Sequence, residues 1–248
     1  MRVTVPLLAA TVTVLAAAPS AHAAVRPVGD RSPLGTEQLS DEVRITRWAS
    51  PIGAPVVRAR PEADAPVVGR LRQETEDGRE ETVVVRRSRV RADAVWVHVR
   101  FAAGAPGRPA VGWVRRDDLD TFHVALGRVV VDRRTLRAAF TDEDGRTAWS
   151  ARIGVGTAAT PTPGGRFFVR ERLKALDDGN GLYGPYAIGT SAYASVSDWP
   201  RGGVVGIHGT DAPALIPGRP SHGCVRLRNE DVRRLVRLVG RGTPVLIR

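Results

Sequence analysis

Short apolar runs bounded by glycine, proline or charged clusters recur along most of the chain. Residues 56–60, 67–71, 82–85, 96–100 and 112–114 form a first set, separated by turn clusters such as 61–66. Strands of this size at close spacing predict a small β-barrel over residues 42–120. A second set, 129–131, 135–140, 148–153 and 165–169, opens a further unit over residues 121–248. Thr160-Pro161-Thr162-Pro163-Gly164-Gly165 must be a turn, because two prolines and two glycines fit no regular element. Residues 171–203 predict long loops with at most short strands, a common place for substrate recognition. Residues 204–208 read as a buried strand that stops at His208, and 224–227 as a short extended piece. Asn229 is placed to cap a helix, with Glu230 and Asp231 in its first turn. Val232, Leu235, Val236 and Val239 fall on one helical face, and Gly240 ends it. Residues 244–247 supply a last strand. The fold class expected is mostly β with one helix near the C-terminal end.

The N-terminus departs from this pattern. Arg2 precedes a mostly apolar run to Ala18, and Ala21-His22-Ala23 matches a cleavage site. Residues 1–23 are therefore expected to be a signal peptide, and 24–41, which show no helix or strand period, a linker. The apolar run is shorter than the ~20 residues that cross a bilayer. The expectation is an exported chain, in the cell wall or secreted, with no integral membrane segment after cleavage.

Charge narrows the partners. The 248 residues carry 37 Lys and Arg against 26 Asp and Glu, a net +11, and Lys174 is the only lysine. Arginine-rich coding in a GC-rich genome explains this as well as a role does. A basic exported protein is drawn to anionic wall polymers and peptide carboxylates. No nucleic-acid recognition motif is present, so no nucleic-acid partner is expected.

Chemistry concentrates in Gly206-Ile207-His208-Gly209-Thr210 and Ser221-His222-Gly223-Cys224-Val225-Arg226-Leu227. Cys224 is the single cysteine, so it makes no internal disulfide. A thiol attacks a carbonyl as thiolate, and a nearby imidazole takes its proton. His222, two residues away on an extended segment, lies on the same face but beyond hydrogen-bond reach. His208 ends a strand, and the 209–220 loop can return Cys224 beside it. Geometry thus favours His208 as base and leaves His222 a supporting role. Gly223, lacking a Cβ, permits a tight turn and close approach of a carbonyl. The N–H groups of Gly223 and Cys224 are candidate oxyanion donors. Arg226 is placed either to hold a substrate carboxylate or to bond nearby carbonyls. A zinc site from His208, His222 and Cys224 lacks the usual close ligand pair, so neither metal nor cofactor is expected.

These two stretches, with Gly154-Val155-Gly156 and the Thr160–Gly165 turn, resemble the L,D-transpeptidase (YkuD-type) catalytic domain over nearly all of residues 121–248. The resemblance implies Cys224 as nucleophile, His208 as general base, and oxyanion donors around His222, Gly223 and Cys224. In some members a serine follows the base histidine and its carbonyl orients the ring; here Gly209 stands there and is able to lend the same carbonyl. Members carry arginine or asparagine at the position of Arg226. The implied activity is acyl exchange on peptidoglycan stem peptides through a cysteine acyl-enzyme, with carbapenem-type inhibitors expected to acylate Cys224. L,D-carboxypeptidase activity, in which water takes the acyl group, shares that intermediate. The pieces of residues 42–120 resemble a bacterial SH3-like domain, implying either wall-peptide binding or a spacer. A non-catalytic wall-binding protein is the remaining alternative, against which the intact His208 and Cys224 speak.

Overall fold

A computed structural model describes residues 36–91, 94–104, 109–174, 181–195 and 203–248. The expected signal peptide, and the linker up to residue 35, lie outside these. Two sheets carry the chain. The first contains β1 (Thr36–Gln38), β2 (Ile45–Ala49), β3 (Val56–Arg58), β4 (Val67–Arg70), β5 (Val83–Arg91), β6 (Ala94–Phe101), β7 (Ala110–Arg115) and β8 (His123–Leu126). They run in the order β4-β3-β7-β6-β5-β2-β8, with β1 paired to β5. Val57, Val83, Val85, Val97, Val99 and Val114 are fully buried and form the core of this unit.

The second sheet contains β9 (Arg128–Asp132), β10 (Arg137–Thr141), β11 (Thr147–Arg152), β12 (Gly154–Gly156), β13 (Gly165–Lys174) and β14 (Tyr186–Tyr193). It also holds β15 (Val204–His208), β16 (Gly218–Ser221), β17 (Val225–Arg226) and β18 (Pro244–Ile247). The order is β11-β10-β9-β18-β13-β14-β15-β17-β12-β16. The one α-helix among the described residues, α1 (Asn229–Leu238), buries Val232 and Leu235 completely against this sheet. The fold is mostly β, as the patterning indicates.

Four details differ from expectation. Thr36–Gln38, read as linker, forms β1 along β5, where an open sheet edge supplies partners without any side-chain period. His123–Leu126 pairs with β2, so the chain changes sheets near Gly127 rather than at residue 121. Residues 171–203 are not mainly loop among the described residues, since β13 runs to Lys174 and β14 spans eight residues. The run from Ile188 to Tyr193 is buried on both faces, which erases the alternation that marks a half-exposed strand. Finally, α1 starts at Asn229 with Arg228 at the N-cap, and it ends at Leu238 with Val239 as C-cap rather than at Gly240. The Asn229 side chain is drawn away to accept from Thr210 N–H at 2.9 Å.

The two sheets are locked by buried charge. Arg170 on β13 is 0% exposed and reaches into the loop between β4 and β5. Its guanidinium donates to both carboxylate oxygens of Glu81, to Glu76 at 2.9 Å and to the Tyr193 hydroxyl at 3.0 Å. Tyr193 in turn donates to Glu76 at 2.6 Å. Burial would raise the Glu76 carboxyl, but the Tyr193 hydrogen bond and the Arg170 charge outweigh it and hold its pKa at about 2. Arg241 forms a second clamp, stacked over Trp48 at 4.4 Å and donating to Ser50 Oγ, Thr82 Oγ1 and the Glu81 carbonyl. Replacing Arg170 leaves the buried Glu81 and Glu76 carboxylates facing only Arg72, whose side chain is open to solvent. We expect Arg170→Met to cost about 3–5 kcal/mol, read as a fall in the urea midpoint; an unchanged midpoint would show the cluster to be dispensable.

Candidate active site

The site is assembled by a short parallel pairing. Ile207 lies opposite Val225 and His208 opposite Arg226, which sets Cys224 beside Gly206. The Gly206 N–H points at the Cys224 sulfur, 3.4 Å away. A Cβ built on Gly206 would stand 3.7 Å from the His208 ring and 4.0 Å from Sγ, so the ring and the sulfur share one small space. Both also line the same two clefts.

His208 is buried and tightly oriented. Its Nδ1 lies 2.6 Å from the Gly209 carbonyl, which can only accept, so Nδ1 carries the proton and Nε2 keeps its lone pair. Gly209, read as able to lend its carbonyl, thus does so. Burial is the main force on the ring, lowering its pKa to about 4; Arg226 adds to this, while the Gly209 carbonyl and Asp211 oppose it. The imidazole is neutral at pH 7 and can accept a proton. The Tyr183 ring packs edge-on against it, with centroids 4.8 Å apart. Nothing local in the sequence ties Tyr183 to a histidine 25 residues on.

The turn before Cys224 is closed by Ser221, whose hydroxyl donates to the Cys224 carbonyl at 2.6 Å and accepts from Gly223 N–H at 3.2 Å. The Gly223 amide, one of the expected oxyanion donors, is therefore engaged by Ser221. The Ser221 carbonyl accepts from Thr157 N–H at 3.0 Å, which ties this turn to the loop after β12. Gly223 has φ +129°, and a Cβ there would stand 2.9 Å from the Ala194 Cβ. His222 is exposed and lines the cleft mouth; Arg226 lines the same cleft and is half-buried. The Arg226 Nε is buried without a hydrogen-bond partner. Among the described residues, no group of three or more His, Cys, Asp or Glu is arranged to hold a metal ion, and no helix is long and apolar enough to cross a membrane.

The glycine requirement gives a direct check. Gly223→Ala adds a strained backbone and a clash that displace the sulfur, and misplacement by about 1 Å costs on the order of 10²-fold. The rate of Cys224 alkylation by iodoacetamide should fall by about that factor in a variant whose unfolding midpoint stays near wild type. An unchanged rate would mean that the turn does not set the sulfur's position.

Comparison with known proteins follows the same residues. The family model of the YkuD L,D-transpeptidase catalytic domain matches residues 127–247. The YkuD protein of Bacillus subtilis (strain 168) is 32% identical over 126 residues, covering 51% of this chain and 65% of its own. The YkuD protein of Bacillus licheniformis is 32% identical over 134 residues, covering 54% of this chain and 70% of its own. A crystal structure of a cysteine-to-serine mutant of the Enterococcus faecium L,D-transpeptidase is 26% identical, with 49% of each chain covered and a TM-score of 0.39. The chain thus spans about two thirds of the curated relatives it matches and about half of that solved chain.

Proposed function

The chain belongs to the YkuD family of L,D-transpeptidase catalytic domains, and from that premise we propose that it exchanges acyl groups on peptidoglycan stem peptides through a thioester on Cys224. The observation that carries this reading is the His208 imidazole, fixed by the Gly209 carbonyl with Nε2 unprotonated, in the same small space as the only sulfhydryl of the chain.

In this mechanism Nε2 takes the Cys224 proton as the sulfur bonds to the carbonyl carbon of the donor peptide. The oxygen of the tetrahedral intermediate is held by backbone N–H groups around Cys224. Collapse breaks the carbon–nitrogen bond, and the terminal D-alanine leaves with the proton returned by His208. An acceptor amine then gives a proton to His208, attacks the thioester and restores the thiol. One amide replaces another, so no nucleotide is consumed. Arg226, at the cleft with its Nε unpartnered, is proposed to hold a carboxylate of the substrate. Export through the N-terminal segment, and an SH3-like role for the first sheet in binding or positioning wall peptide, complete the proposal.

Incubation with a stem tetrapeptide tests the reaction. Cross-linked dimer is expected from wild type and none from Cys224→Ala; tripeptide alone would reassign the enzyme as an L,D-carboxypeptidase. A carbapenem should add its mass to the peptide containing Cys224, and an adduct elsewhere would remove the nucleophile assignment.

The pH dependence has a definite sign. His208 acts as base only when neutral, and its pKa in the fold is lowered from 6.5 to about 4. Acylation by a carbapenem should therefore hold through pH 6.5 and fall only towards pH 4. A midpoint near 6.5 would exclude this buried ring as the base. The same shift makes protonation costly to the fold, so His208 contributes stability above pH 6.5 that is lost as pH falls through 4.

A further inference from the structure

A second cleft leads from Cys224 across the sheet, away from Ser221 and His222. Its floor is set by register. Glu171 on β13 pairs with Gly189 on β14, and Gly189 pairs with Gly206 on β15. Directly paired residues project to one face of a sheet, so Gly189 and Gly206 leave two adjoining positions with no side chain. A Cβ on Gly206 would meet His208 and Sγ, whereas a Cβ on Gly189 would stand 2.8 Å from Glu171 Oε1. The result is a trough with the nucleophile at one end and a carboxyl at the other. Cross-strand Cβ positions lie about 5 Å apart, so carboxyl and sulfur are separated by roughly 5–10 Å.

The far end is built from both sheets. Glu171 is 4% exposed, and Thr75 Oγ1 donates to its Oε2 at 2.7 Å. Asp77, from the same loop between β4 and β5, stands against it and lines the cleft together with Cys224 and His208. Burial is the main force raising the Glu171 pKa; Asp77 adds to it, while Thr75 and Arg170 oppose it. In a chain of net charge +11, a carboxyl pair facing the nucleophile is an anionic exception.

Resting on the reading of Cys224 as the acyl-transfer nucleophile, we propose that this trough is a subsite for an ammonium-bearing side chain of the acyl donor, its cation held by the Asp77–Glu171 pair. An attacking amine must be uncharged to bond to the acyl carbon, whereas a buried carboxyl pair favours a fixed ammonium. The group that fits is a second cation, a few methylenes from the carbonyl bound at sulfur. Glu171 lies over Gly189, while the floor at Gly206 beside the sulfur is open to such a stem, and the cation offsets the cost of charge in the buried pair. On this reading the first sheet supplies part of the substrate pocket through Asp77.

Alkylation of the single cysteine tests the trough without requiring turnover. N-(aminobutyl)iodoacetamide and its N-acetyl derivative present the same tether with and without a cation; in each, the S–C bond forms as iodide leaves. The ratio of their labelling rates on the full chain, read by intact mass, is expected to be about tenfold or more. It should fall towards one in the Asp77→Asn/Glu171→Gln variant, and in wild type as ionic strength rises. A wild-type ratio near one, or a ratio the double variant leaves intact, overturns the proposal. If the variant does not fold, the wild-type ratio and its salt dependence decide. A high ratio without any peptide exchange would sink the transfer reading and keep the trough; cross-linked peptide with a ratio near one would do the reverse.

Discussion

The placement of Cys224 beside His208 depends on a two-residue parallel ladder between β15 and β17. A parallel pair cannot be closed by a tight hairpin, so the chain must leave His208, travel through residues 209–224 and re-enter the sheet in the same direction. What holds that return is burial: Ile207, Val225 and Leu227 are 0–1% exposed, each worth about 1.5–3 kcal/mol when removed from water. On the other side, β12 presents Gly154 opposite Arg226, where a larger residue would press on Pro220 and Arg226. The sulfur is thus located by hydrophobic packing of its neighbours, and its own hydrogen bonds only refine the position.

That division explains what could be read in the sequence. A buried strand ending on His208 and the Ser221–Leu227 stretch are local patterns, and each survives translation into structure. The Gly209 carbonyl was legible too, because any residue supplies one. Tyr183, Asn229 and Asp77 were not, since each acts on a partner brought near by tertiary contacts alone: His208, Thr210 and Glu171. Asn229 misled for a physical reason. Its side chain suits an N-cap, but Gly184 and Gly209 pack so closely around its Oδ1 that the amide serves the loop instead of the helix. Glu171 was hidden because burial on both faces of β13 and β14 removed the alternation by which strands are recognised.

Electrostatics sorts the site into unlike halves. On one side burial, with Arg226 adding to it, lowers the His208 pKa and keeps the ring uncharged at neutral pH. On the other side a buried carboxyl pair faces the same sulfur across a floor of two glycines. The two clefts that meet at Cys224 are thus lined by a guanidinium on one side and by carboxyls on the other.

The loop between β4 and β5 unites these features. Within a few residues it contributes Glu76 and Glu81 to the Arg170 cluster, Thr75 to Glu171, and Asp77 to the cleft. Arg170 and Glu171 are consecutive on β13, so the contact that fastens the two sheets also fixes the carboxyl that shares a cleft with Cys224. Had the first unit been only a tether, its contacts would be expected at the rim, exposed and exchangeable. Instead an arginine with no solvent exposure is spent on it, at a desolvation cost that only several well-placed hydrogen bonds recover. Relative motion of the two sheets would break that cluster and open the far wall of the trough together, so rigidity between the units and the shape of the cleft at Cys224 are one property of the fold.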